Sequence, residues 1–75
     1  MTSLIQQIVE LTKPYLGINA ERFVLRQITT HLNITPEQLS ASKLNDLAKW
    51  VEISASLLID KEKAKELSDK IATFK

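Results

Sequence analysis

The chain contains no cysteine among its 75 residues. That excludes disulfide staples, thiolate metal ligands and a cysteine nucleophile together, and it fits a reducing, cytoplasmic setting. Glycine occurs once, at Gly17, so no glycine-rich loop is present to cradle a phosphate. The single histidine, His31, rules out a two-histidine metal site. Long apolar runs are missing too: no window approaches the roughly eighteen apolar residues of a membrane-spanning helix. The opening "MTSLIQQIVEL" has neither the basic region nor the small-residue cleavage pattern of a secretory leader.

Neither sign of charge is in excess, with ten Lys and Arg against nine Asp and Glu. Residues 1–34 hold Lys13, Arg22 and Arg26 against Glu10 and Glu21, and residues 35–75 hold seven of each sign. A balance of this kind leaves no electrostatic footprint for nucleic acid or an anionic membrane.

What is present is ordinary for a folded protein, with 44% apolar and 25% charged residues. The length allows one domain, residues 1–75. So short a chain buries only about 60% of the surface its unfolded form exposes. Its core is thin, which favours self-association or a partner.

The hydrophobic pattern is helical throughout, with no sustained alternation that would mark a strand. Ser3, with Gln6 three residues on, predicts a capped first helix. Leu4, Ile8, Leu11 and Tyr15 form its apolar stripe, widened by Ile5, Val9 and Leu16, and Pro14 predicts an end or kink near Thr12 or Lys13. Gly17 marks the turn, and Asn19 is the expected cap of a second helix over 20–32, with Ala20, Val24, Ile28 and Leu32 inward. "NITPEQLS" reads as one short helical turn, with Thr35 as cap, Pro36 at the first position and Gln38 closing a capping box. A further helix is expected from Ser40 or Ser42 to about Ile59. Asp60 caps the last, "KEKAKELSDKIATFK", whose Ala64, Leu67, Ile71 and Phe74 share a stripe while Glu66–Lys70 and Lys65–Asp69 pair across a turn. The expected fold is therefore all-α, a compact bundle or orthogonal array of four to five short helices.

One stretch, "LAKWVEISASLLI", has too many apolar residues for a helix with a single buried face. On a helical wheel Leu44, Leu47, Ala48, Val51, Ala55 and Leu58 make one face, and Trp50, Ile53 and Leu57 make a second beside it. Either neighbours cover both faces, or the second face meets a partner. Tryptophan at such a position combines large apolar area with one directional donor, as binding hot spots do. We therefore take Trp50, Ile53 and Leu57, flanked by Tyr15 and Phe74, as candidate partner-binding residues. The partner is another protein or a second copy in a homodimer.

Catalytic and metal chemistry find little material. Thr29 and Thr30 adjoin His31 in sequence, but neighbouring helical positions do not face each other, so a structural histidine near a helix end is the better reading. Glu62, Glu66 and Asp69 interleave with Lys61, Lys63, Lys65 and Lys70, which makes a solvated face rather than a cation site. We expect no catalytic residue, no metal and no cofactor. A helix-turn-helix order over residues 34–54 raises DNA binding as the alternative, through Arg22, Arg26, Lys43 and Lys49. A mostly apolar second helix is poorly suited to reading base edges.

Three segments, "YLGINAERFVLRQI", "LNDLAKWVEIS" and "DKEKAKELSDKI", carry a family likeness. The Leu16–Gly17 turn, Ala20 opening the next helix, the Leu44/Leu47/Ala48 face, and Ala64 with Leu67 resemble a small helical domain appended to some bacterial serine/threonine kinases and response-regulator-like proteins. The likeness spans most of residues 8–72 and implies a non-catalytic accessory or interaction role in signalling.

Overall fold

A computed structural model of the chain describes residues 3–74. The described residues are helical with no strand. Three helices of twelve or thirteen residues carry the architecture: α1 (Leu4–Leu16), α3 (Leu44–Ala55) and α4 (Lys61–Ala72). Between the first two of these lies α2 (Ala20–Gln27), eight residues long and continued by a single π turn, Ile28–Leu32. The all-α class holds, but the expected four to five short helices are corrected to three main ones joined by shorter pieces. The span from Ile28 to Lys43 is broken into single turns, because Asn33 adopts the left-handed conformation (φ 57°) and extended Thr35 and Ser40 interrupt the winding.

Local chemistry explains most of the boundaries. Ser3 Oγ accepts the Gln6 N–H at 3.3 Å and starts α1. Of the end or kink expected near Thr12 or Lys13, the end does not occur: Pro14 lies within the last turn of α1. Both Pro14 and Glu10, whose carbonyl loses its donor, are exposed, so water reaches the freed group while Tyr15 and Leu16 continue onto the core. α1 stops at Gly17, where φ is +62° and the N–H returns to the Lys13 carbonyl. A left-handed residue at a helix end is the setting that favours glycine. Asn19 does not cap α2 through its side chain; a 3₁₀ turn, Gly17–Asn19, leads straight into the helix and the Ala20 N–H bonds the Gly17 carbonyl.

Gln38 reaches back as the capping box requires, its Oε1 accepting the Thr35 N–H at 2.9 Å. That segment forms the single 3₁₀ turn Pro36–Gln38, and a second turn, Ala41–Lys43, precedes α3. Asp60 Oδ1 accepts the Lys63 N–H at 2.8 Å and caps α4. Replacing Asp60 by alanine should lower stability by about 1 kcal/mol, seen as an earlier urea midpoint at unchanged slope. No loss on that substitution would mean the cap contributes nothing net. Lys75, the end of the last expected helix, lies outside the described residues.

α3 and α4 form an antiparallel hairpin and share the most extensive packing in the molecule, while α1 packs on α2 and α4. Small residues at the hairpin contact, Ala48, Ala55, Ala64 and Ser68, are all buried and let the backbones approach closely. Ser68 Oγ uses that approach to donate to the Ala48 carbonyl at 2.9 Å. Ile8, Val24, Ile28, Leu47, Val51, Leu67 and Ile71 are fully buried around this seam. Buried Thr12 donates to the Ile8 carbonyl at 2.8 Å, and buried Gln27 accepts from Ser54 at 3.0 Å, so the polar groups in the core are satisfied. The radius of gyration, 10.9 Å, is close to the roughly 11 Å expected for a compact domain of this length.

Candidate interaction surface

α3 presents its core face as the wheel requires, with Leu44, Leu47, Ala48, Val51 and Ala55 all buried. Its length does not follow the expectation. The helix ends at Ala55, four residues before Ile59, and residues 56–58 form a tight turn. Ser56 Oγ donates to the Ile53 carbonyl at 2.7 Å, and the N–H groups of Leu58 and Ile59 both return to Ala55 at 2.9 and 2.8 Å. Helical periodicity is lost at that point, so Leu58, expected on the core face, is 66% exposed. Half-buried Ile59 turns back onto the core in its place.

The second face of α3 remains largely uncovered within the monomer. Ile53 is 49% exposed and Leu57 is 83% exposed. Trp50 is half-buried, and the group lying on it is His31, with ring centroids 4.1 Å apart and planes 7° from parallel. His31 lies on the π turn, four residues after Gln27, whose side chain also meets α3 through its bond with Ser54. Thr29, whose hydroxyl donates to the Leu25 carbonyl at 3.0 Å, sits where the winding loosens. Replacing His31 by alanine should expose the indole and shift Trp50 emission to longer wavelength. An unchanged spectrum would show that the imidazole does not shield it.

Alongside Ile53 runs an open groove of about 400 Å³ bounded by Glu52, Ser56, Lys61 and Lys65. Lys49 lies one turn before Ile53 on the same side of α3 and is exposed. The ion pairs among the described residues are Lys13–Glu10 and Lys70–Glu66, so Lys49, Lys61 and Lys65 are not neutralised by a bridge. The expected Lys65–Asp69 pair is not formed.

Tyr15 and Phe74, proposed as flanks of the surface, are placed elsewhere. Tyr15 is half-buried beside Pro14, Ile59, Lys63 and Glu66, on the opposite flank of α4 from Lys61 and Lys65. Lys70 Nζ lies over its ring, 5.2 Å from the centroid, and hydrogen bonding to Tyr15 raises the Lys70 pKa. Phe74 is half-buried against the core at the far end of the hairpin from Leu57. The structure therefore brings together Trp50, Ile53 and Leu57, and adds Leu58 and the lysine rim. Exposure of Leu58 had no signal in the wheel, because it depends on where α3 stops.

Other features do not converge. Arg22 and Arg26 line an open groove with Glu21, Leu25, Thr29 and Thr30, whereas Lys49 lies on the α4 side of α3 and Lys43 in the preceding 3₁₀ turn. These four cations do not form one strip. Ile18 is 99% exposed in the α1–α2 turn, beside a groove whose other walls are mostly polar or charged. No group of three or more His, Asp or Glu side chains is arranged to hold a metal among the described residues. No described helix is long and apolar enough to cross a membrane. Comparison of the chain with protein-family models, with characterised proteins and with solved structures finds no match.

Proposed function

We propose that the protein is a non-catalytic protein-interaction module that works by burying the outer face of α3. The observation carrying this reading is the exposure of Ile53, Leu57 and Leu58 toward the end of α3, beside half-buried Trp50, on a domain with a thin core. Monomeric proteins expose single apolar residues routinely, but Ile53 on α3 and Leu57 in its closing turn are both exposed next to half-buried Trp50. The lysine rim gives this surface the anatomy of an interface, an apolar centre with a charged border. The accessory role implied by the resemblance to signalling domains points the same way. DNA binding through Arg22, Arg26, Lys43 and Lys49 draws no support from residues spread over separate faces.

The test is site-directed photo-cross-linking in the native cell, with a photoreactive residue at position 57 and a control at exposed position 22. A discrete adduct from position 57 alone supports the reading, whether its mass corresponds to a second copy or to another protein. Absence of any adduct at 57 beyond that at 22 removes it.

A further inference from the structure

The proposed surface has a chemical bias that narrows its occupant. We infer that the outer face of α3 binds an amphipathic helix of another protein, one carrying carboxylates along the flank that meets Lys49, Lys61 and Lys65. This rests on the reading of the α3 face as an interface and adds to it the class of partner.

The argument is one of shape and charge. Trp50 and Ile53 lie at helical spacing on α3 and Leu57 follows in its closing turn, so a facing helix with apolar residues at i and i+3 or i+4 matches the two helical positions. Beside them the groove holds two lysines and one carboxylate, Glu52, and Lys49 extends the cationic row by a turn. None of the three lysines has an ion-pair partner among the described residues. Glu62 and Asp69 lie one row further round α4, away from Ile53, so this flank sets three lysines against Glu52, while Asp46 sits at the start of the strip, one turn before Trp50. A ligand helix with carboxylates on that flank completes these charges, and one with lysines opposes them.

Two other occupants fit less well. A second copy laid antiparallel across Ile53 keeps the lysine flanks of both copies on the same side of the two-fold axis, which sets Lys49 of each against Lys61 of the other. An anionic membrane would need a net positive tip, but the α3–α4 turn offers Lys61 and Lys63 against Asp60 and Glu62.

The experiment uses the full chain and two fluorescein-labelled helical peptides of about eighteen residues with identical leucine spacing. One carries glutamates beside the leucines and the other carries lysines at the same positions. Fluorescence anisotropy at low salt should show the acidic peptide binding at least about tenfold more tightly. The preference should shrink as salt rises and the screening length falls from about 10 Å to about 3 Å. The double variant Lys61→Glu, Lys65→Glu should reverse the order, and Leu57→Asp should abolish binding of both; circular dichroism confirms that each remains folded. Equal binding of the two peptides overturns the carboxylate assignment and leaves the apolar interface standing. Failure of both peptides, together with a dimer in sedimentation equilibrium that Leu57→Asp dissociates, also overturns it, with a second copy as the occupant. Failure of both peptides with a monomer at every concentration overturns it too. Only the further absence of a position-57 cross-link would remove the interface itself.

Discussion

Replacing Leu67 by alanine is expected to destabilise the fold by about 2–5 kcal/mol. Leu67 is fully buried in the α3–α4 hairpin among Leu47, Val51 and Ile71. Truncation removes its transfer free energy and leaves a cavity that two closely packed helices can collapse only in part. The whole domain is expected to be stable by roughly 4–11 kcal/mol, at about 0.05–0.15 kcal/mol per residue. One methyl cluster therefore accounts for a large fraction of the margin. The melting temperature should fall by roughly 8–40 °C, given about 4–8 °C per kcal/mol for domains of this size. Leu57→Ala is the matched control, because the same side chain at 83% exposure should change stability by less than about 0.5 kcal/mol. A loss below about 1 kcal/mol at Leu67 would contradict the packing of the hairpin.

Trp50→Ala should behave in the opposite sense, hurting association far more than folding. A buried tryptophan usually costs about 3–5 kcal/mol on truncation. Trp50 is only half-buried and its covering group is an exposed histidine, so the folding loss should be about 1–2 kcal/mol, well under that of a core tryptophan. At an interface centre the same change should weaken binding by about 2 kcal/mol or more, which is about thirtyfold in dissociation constant. Chemical denaturation and binding titrations on the same preparation separate the two losses. If stability falls by 3 kcal/mol or more (about the full cost of a core tryptophan) while binding is unchanged, Trp50 belongs to the core and the surface loses its centre.

Between these two residues lies the difference between what periodicity conveys and what it omits. The inward positions of α3 were legible from their spacing, and those of α1 and α4 nearly so, with Thr12 and Ser68 the buried positions the apolar stripes did not announce. Buried Leu39 and Gln27 were less visible. Leu39 follows a 3₁₀ turn without a repeat, and Gln27 is admitted only because Ser54 from α3 bonds its oxygen. The second apolar face was legible as a surplus, since three large residues stood outside the core stripe. Whether neighbours covered them was not, and Tyr15 and Phe74 were placed beside them on pattern alone.

Taken by itself, the sequence determined the helical class, the caps at Ser3 and Asp60, the turn at Gly17 and the inward stripes. All of these depend on residues within about one turn of each other, whose geometry is set by local hydrogen bonding and sterics. Tertiary structure decided the rest. It carried α1 past Pro14, loosened α2 into a π turn, and laid His31 on Trp50. It ended α3 at Ala55, with Leu57 and Leu58 left in water. The first three of these outcomes set a local preference against contacts distant in sequence, and packing against a neighbouring helix outweighs the modest cost of one lost or widened backbone turn.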